Sequence, residues 1–176
     1  MKKSIFMTIF FICLLALGGC SQPNPEDIIS SCFNDIKKGD LDNMKQYFVS
    51  EENKFNKLRG KNEEIYKQAF KKIDYQIIDS NIDGQTATVK TKIMAPDIPN
   101  IMGSLMYPTL KSNPSNDIEK VINDKIIQMI NSKDMPIVAS EIDINLRLVN
   151  KKWLIVPDSS FIRSITGNFI NIIDKN

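Results

Sequence analysis

Residues 141–148 alternate without interruption between polar and apolar side chains. The apolar members are Ile142, Ile144, Leu146 and Leu148, and the polar members are Glu141, Asp143, Asn145 and Arg147. This alternation is typical of a strand in an antiparallel sheet that is covered on one face and open to water on the other. Residues 86–93 repeat it, with Ala87, Val89, Thr91 and Ile93 on the apolar side. Other parts of the chain must therefore cover one apolar sheet face.

The sequence predicts about four strands, arranged as two hairpins. Residues 75–79 and 85–95 form the first pair, and the sequence at 81–84 predicts the turn between them. The second pair is the strand through 141–148 and a partner over 152–156, joined by a turn at Asn150 and Lys151.

The first helix has a clear start and a clear apolar side. Asn24 is a side-chain cap, Pro25 takes the first helical position, and Glu26 and Asp27 lie at the positive end of the dipole. The apolar stripe that follows consists of Ile28, Ile29, Cys32, Phe33 and Ile36. Gly39 is well placed to end the helix. A second helix, capped by Asp40, would bury Leu41, Met44, Tyr47 and Phe48.

The remaining helices differ in how clearly they are marked. A third helix is predicted over about 61–72, and a clear one begins at Asn116 or Asp117 with Ile118, Val121, Ile122, Ile126, Met129 and Ile130 on its apolar side. Between 97 and 116 the residues Pro99, Gly103, Pro108 and Pro114 predict that any helix is short. A last helix, capped by Ser159 or Ser160, would contain Phe161, Ile162, Ile165, Phe169, Ile172 and Ile173, and this stripe either packs on the domain or forms a partner face.

These elements predict an α+β domain. It has an antiparallel sheet of about four strands, N-terminal helices, a helical insertion between the hairpins, and a C-terminal helix. We find no internal linker or repeat, so residues 25–176 are expected to form a single domain.

The N-terminus has the three zones of a signal peptide. Lys2 and Lys3 are followed by an apolar run of 13 residues from Ile5 to Leu17, which is shorter than the ~20 residues that a membrane-spanning helix needs. The run ends in Leu17-Gly18-Gly19-Cys20, which resembles the lipobox of bacterial lipoproteins. The resemblance implies cleavage between Gly19 and Cys20, removal of residues 1–19, and attachment of lipid, with acyl chains such as palmitate, to Cys20.

The predicted mature protein is an acylated cysteine, a short tether and a domain. Residues 20–24 are the lipidated end and tether, which places the domain on the extracytoplasmic face of the cell membrane with the start of the first helix toward the lipid. Loss of Lys2 and Lys3 reduces the formal net charge from +2 to 0. A neutral domain lacks the basic surface of a nucleic-acid-binding protein, so no nucleic-acid partner is expected. Attachment to the membrane is expected through the lipid on Cys20.

Three segments together resemble a known family: Ile36-Lys37-Lys38-Gly39-Asp40-Leu41, Ala87-Thr88-Val89-Lys90, and Leu148-Val149-Asn150-Lys151-Lys152-Trp153-Leu154-Ile155. Their order is similar to that of small exported bacterial lipoproteins whose domain is like nuclear transport factor 2 (NTF2). That resemblance covers most of residues 25–157. It implies a cystatin-like cone, with a curved sheet against helices, and it implies no particular activity.

Several kinds of chemistry are not indicated. The chain has no histidine, which removes the usual general base near neutral pH and the commonest transition-metal ligand. Asp79, Asn81 and Asp83 are better explained by a hairpin than by a calcium loop, and the methionines by core packing. We expect no cofactor and no metal, and we expect Cys32 to be a buried, unreactive thiol without a disulfide partner.

The side chains that could line a pocket in a curved sheet are Tyr75, Glu141, Asp143 and Arg147. The simpler interpretation is a polar sheet face in contact with water. Two functions remain open. One is a non-enzymatic accessory domain that binds an envelope protein or a small ligand; the other is a small enzyme that uses Asp, Glu and Tyr as acid and base without a cofactor.

Overall fold

The computed structural model describes residues 23–49, 60, 62–112 and 117–169. The helices are α1 (Pro25–Lys38), α2 (Leu41–Met44), α3 (Glu63–Phe70), α4 (Ile98–Ser112), α5 (Ile118–Ile130) and α6 (Ser159–Ile165), with a 3₁₀ turn at Lys45–Tyr47. The strands are β1 (Asp74–Asp83), β2 (Thr86–Pro96), β3 (Ile137–Val149) and β4 (Lys152–Ile155). The predicted α+β class, with the helical insertion between two hairpins, is confirmed. The predicted signal peptide, Cys20 and residues 170–176 lie outside the described residues.

The four strands form one antiparallel sheet in the order β1-β2-β3-β4. Its register places Val89 opposite Ile144 and Ala87 opposite Leu146, and all four side chains are buried. Their neighbours along the strands are exposed or half-buried. The predicted alternation is confirmed, and one face of the curved sheet carries the core.

Helix α1 covers this core face. The Asn24 side chain accepts a hydrogen bond from the Glu26 N–H at 3.1 Å, and Gly39, with φ +72°, ends the helix by donating to two carbonyls of the last turn. The stripe of Ile29, Cys32, Phe33 and Ile36 is fully buried. These features confirm the predicted cap, stop and buried Cys32.

The first hairpin turns later than predicted. The prediction placed the turn at 81–84, but β1 continues to Asp83 and the turn is Gly84-Gln85, with Gly84 at φ +58°. Asn81 and Asp83 pair with Thr88 and Thr86 across the ladder, so strand pairing overrides the turn preference of these side chains. The second turn, at Asn150 and Lys151, is where the sequence predicted it, with both residues at positive φ.

The prediction for the region of helix α4 was also wrong. The prolines predicted only a short helix, yet α4 has 15 residues. Pro99 lies in the first turn, where no N–H is needed, and the Asp97 side chain accepts from the Asn100 N–H at 3.2 Å. Ile98 and Ile101 are fully buried against the domain, and Pro108 lies on the exposed side. Tertiary burial therefore offsets the helix-breaking residues.

The C-terminal helix is shorter than predicted and is capped by Asp158, whose carboxylate accepts from the Phe161 N–H at 2.7 Å. It ends at Ile165, and the chain turns through Gly167 and Asn168, both at positive φ. A Cβ on Gly167 would lie 1.8 Å from the Pro96 carbonyl oxygen, so only glycine fits. Phe169 is buried just beyond this turn. The predicted Ile172 and Ile173 lie outside the described residues.

No helix within the described ranges is both long and apolar enough to cross a membrane.

Gly167→Ala is expected to destabilise the protein by about 3 kcal/mol or more, because it combines a left-handed backbone with a steric clash. For a domain of this size, that lowers the thermal midpoint by roughly 6–12 °C. Gly84→Ala is the matched control: its φ is +58°, but a Cβ there would meet nothing within 4 Å. The control should cost only about 1 kcal/mol. Equal losses in the two variants would contradict the close approach of Gly167 to Pro96.

Candidate functional site

The four side chains predicted from the sequence do not lie together. Glu141, Asp143 and Arg147 are exposed on the open face of the sheet. Tyr75 belongs to the opposite face: its register partner Ile93 is buried, and its ring stacks on Phe33 of α1 with the centroids 4.5 Å apart. A single pocket cannot be built from both faces, and ligand binding by any of the four stays a prediction.

On the open face of the sheet, acidic residues of β3 lie opposite lysines of β2. Glu141 is the register partner of Lys92, and Asp143 is the register partner of Lys90. Opposite charges in such cross-strand positions stabilise a sheet by about 0.2–1 kcal/mol per pair. Sheet pairing and contact with water therefore account for these charged residues.

An apolar groove lies instead between α3, α4 and α5. On α5, Ile118, Ile122 and Ile126 follow at intervals of four and form one stripe, and on α4 Met102 and Met106 share a side in the same way. The groove has a volume of about 420 Å³ and is lined by Asn62, Ile65, Met102, Met106, Ile118, Glu119, Ile122, Asn123, Ile126 and Phe169. Of these described lining residues, Glu119 alone is ionisable.

The floor and the walls of the groove differ in exposure. Ile65, Ile126 and Phe169 are buried and form the floor. Ile122 and Met102 are half-buried, and Met106 is 43% exposed at the rim. A concave apolar site of this volume is within the usual range of ligand pockets. Methionine side chains at its edge adapt to differently shaped partners.

An acidic depression lies on the side of α5 that carries Asp117, Lys120 and Asp124. It has a volume of about 500 Å³ and is lined by Glu64, Ile65, Asp117, Glu119, Lys120, Asn123, Asp124 and Ile127. It shares Ile65, Glu119 and Asn123 with the groove. In the described part of its lining, four carboxylates and one lysine give a formal charge of −3. No three His, Cys, Asp or Glu side chains in the described ranges are grouped to hold a metal ion.

The sequence indicated the α5 stripe but not this site. The prediction placed Ile118, Val121, Ile122, Ile126, Met129 and Ile130 on one apolar side of this helix. The structure buries Ile126 and Ile130 and leaves Ile118 and Ile122 at the groove. The sequence signal for the groove was the length of the α5 stripe, which has more apolar residues than a single contact with the core would bury.

A polar cluster connects α1 to the 3₁₀ turn. Tyr47 donates a hydrogen bond to Asp35 at 2.7 Å, and Lys38 pairs with the same carboxylate at 2.7 Å. These two hydrogen bonds, that from Lys38 first, hold the pKa of Asp35 below its ordinary value. Burial, followed by the hydrogen bond to Asp35, raises the pKa of Tyr47 to about 12. Burial also raises the pKa of the Cys32 thiol, which keeps it protonated and unreactive.

No protein-family model and no curated protein matches the chain. Among solved structures, a crystal structure from Campylobacter jejuni described as a "Putative NTF2-like transpeptidase" is similar over 77% of this chain and 99% of that chain. The sequence identity is 13% and the TM-score is 0.36. The α+β architecture rests on the elements and register of this chain itself.

The Asp35 cluster predicts a pH dependence. The folded pKa of Asp35 is lowered, so its contribution is present above the unfolded pKa of about 3.9 and is lost as the pH falls through the folded pKa. Tyr47→Phe should therefore lower the free energy of unfolding by about 1 kcal/mol at pH 7 and by less at pH 2–3. Urea unfolding at both pH values measures this. Tyr75→Phe, which leaves the hydrogen bonds of Asp35 in place, is the control, and a pH-independent loss in Tyr47→Phe would contradict the coupling.

Proposed function

We propose that this chain is made as a bacterial lipoprotein precursor whose domain binds a partner or ligand at the cell envelope without catalysing a reaction. Residues 1–19 are removed, lipid is attached to Cys20, and residues 25–176 form a single NTF2-like domain on the extracytoplasmic face of the membrane. The charge, length and small residues of the N-terminal segment support the anchor. Two or more acyl chains on Cys20 would hold the protein at the membrane stably, whereas one chain gives only marginal binding.

The start of α1 bears on how such an anchor would hold the domain. Because Asn24 caps the helix at Pro25, only Ser21–Asn24 separate it from the acylated cysteine. At ~3.3–3.6 Å per extended residue, this tether reaches about 13 Å. Glu26 contacts the Ser80 hydroxyl, so α1 starts beside the part of β1 that leads to the first hairpin turn. The start of α1 therefore lies toward the end of the sheet that carries both turns.

One observation carries the binding role: the 420 Å³ groove is apolar and has a single ionisable side chain in its described lining. Such a surface suits the burial of an apolar group of a partner. An enzyme that uses Asp, Glu and Tyr as acid and base would need these groups to converge on one substrate. The candidates lie on two faces of the sheet, which favours binding over catalysis.

The anchor is tested by metabolic labelling with an alkyne analogue of palmitate, followed by cell fractionation. The wild-type protein is expected in the membrane fraction with label, and Cys20→Ser is expected to lose the label and the membrane association. Cys13→Ala, which alters a cysteine of the apolar run, should keep both. Retention of label or of membrane association in Cys20→Ser would overturn the lipoprotein assignment.

Binding in the groove is tested with Nile red, a neutral apolar dye that fluoresces when it is removed from water. Ile122→Asn should raise the Kd at least tenfold, since it places an amide in the half-buried wall and costs about 1.4 kcal/mol or more. Leu154→Asn, a half-buried position on the open sheet face, should leave the Kd within about twofold. Equal Kd values for wild type and Ile122→Asn would place the apolar site elsewhere.

A further inference from the structure

We infer that the apolar groove is covered by the segment of this chain that follows Phe169, residues 170–176, and that a partner binds by displacing this segment. The inference rests on the proposed binding function and adds how access to the same site is regulated. The apolar side chains of the segment, Ile170, Ile172 and Ile173, would take the place of the partner's apolar group.

The described residues end at Phe169, inside the groove. Phe169 is buried and lines the groove, and its ring centroid lies 5.2 Å from that of Tyr66 in α3. The turn before it is held in place because Gly167 packs directly on the Pro96 carbonyl. Residue 170 is bonded to Phe169, so the segment starts at the groove.

The composition of the segment suits an apolar surface. It reads Ile170-Asn171-Ile172-Ile173-Asp174-Lys175-Asn176, with the isoleucines first and the two charged residues after them. The sequence predicted that Ile172 and Ile173 continue the apolar stripe of the last helix, but α6 ends at Ile165. Their removal from water therefore requires a surface other than the one that α6 buries. The groove, which is apolar in its described lining, begins at the residue before the segment.

The segment is also long enough to cover the groove. Ile118 and Ile126 line it at two levels of α5, and at 1.5 Å per residue they are about 12 Å apart along the helix axis. Extended at ~3.3 Å per residue, residues 170–173 reach about 13 Å. The isoleucines can therefore lie along the wall formed by α5, while the charged residues of the segment pass the edge of the groove and stay in water.

The proposed tether at the other end of the chain is too short to be the occupant. The start of α1 lies beside Ser80, which pairs with Val89, and β2 continues from there to Pro96 at the end of the sheet away from the hairpin turns. At ~3.3 Å per residue this stretch of β2 is about 23 Å long. The tether reaches only about 13 Å. The groove lies at the Pro96 end, because Phe169 follows the turn that packs on Pro96.

Coverage by an attached segment has a measurable consequence. The segment cannot diffuse away, so it competes with a free ligand at a high effective concentration. The apparent Kd of the ligand is the intrinsic Kd divided by the fraction of molecules whose groove is open. A variant that releases the segment should therefore bind an apolar ligand more tightly, whereas Ile122→Asn in the groove wall weakens binding.

The first test measures Nile red binding to residues 20–176 with Cys20→Ser. Ile172→Asn with Ile173→Asn should lower the Kd about fivefold or more, because the segment loses two of its isoleucines and leaves the groove. Ile78→Asn with Ile82→Asn is the matched control, since both positions are on β1 and are 44% and 50% exposed. This control should change the Kd by less than about twofold. Circular dichroism checks that both double variants stay folded.

The second test locates the segment by nuclear magnetic resonance. A nitroxide is attached at Asp174→Cys in the same chain, where burial keeps the remaining thiol, Cys32, protonated and unreactive. In protein with ¹³C-labelled isoleucine δ1 methyl groups, the nitroxide should broaden the signals of Ile118 and Ile122 at the groove. The signal of Ile82, beside the first hairpin turn, should be unchanged.

Addition of Ile172→Asn and Ile173→Asn to the labelled chain should remove most of this broadening. The dependence on these two side chains separates docking in the groove from simple nearness, because the segment remains bonded to Phe169 in every variant.

Three results would overturn the inference. They are a Kd for Nile red that the segment variant leaves unchanged, broadening at the groove that does not depend on Ile172 and Ile173, and broadening that arises only between separately labelled chains. The last result would assign the groove to a second copy.

The failure of the inference and that of the proposed function can be told apart. Nile red binding that depends on Ile122 but not on the segment would leave the proposed binding function in place and reject only the segment as occupant. Nile red that binds no variant, together with the expected broadening, would reject the proposed binding function and leave the position of the segment supported.

Discussion

The apolar face of the sheet is the surface that the remaining elements are arranged to bury. Val89, Ile144 and Trp153 are among its fully or almost fully buried members, and Phe33 and Ile36 of α1 cover it. Each side chain of this kind contributes about 1.5–3 kcal/mol when it is removed from water. Among the described residues, helix α1 and aromatic rings lie against this face. The polar strand residues are left on the open face, and the concave site described above is formed by other elements.

Those other elements are the inserted helices and the end of the described chain. Helices α4 and α5 lie between the two hairpins in sequence, and they bury only part of their apolar surface, so Ile118 and Ile122 remain at the groove. The groove floor depends on the turn at Gly167, because the close approach of this glycine to Pro96 fixes where Phe169 lies. A single backbone contact at the end of β2 therefore joins the core sheet to the candidate binding surface.

The sequence correctly predicted those parts of the fold that depend on a regular alternation of side chains or on a residue that caps a helix. The alternation over 141–148 predicted the exposed and buried sides of β3, and Asn24 and Gly39 predicted both ends of α1. The errors arose where a distant contact decided between two local preferences. Asn81 and Asp83 favour a turn but are held in the ladder, and α4 forms despite its prolines because Ile98 and Ile101 are buried. Gly167 signals locally only the end of a helix, whereas its strict requirement comes from a carbonyl about 70 residues earlier in the chain.

The candidate site, like the fold, could be predicted from the sequence only in part. Period two along β1 places Tyr75 and Ile77 on one side, so the separation of Tyr75 from the charged residues of β3 could have been found once the strand register was known. The groove could not, because it depends on which side of α5 meets α3 and α4. That packing also sets what the surface can recognise. The groove is apolar in its described lining, which favours an apolar group of a partner. In the anchored protein that we propose, this surface lies at the far end of the sheet from the tether, where a protein segment can reach it without competing with lipid.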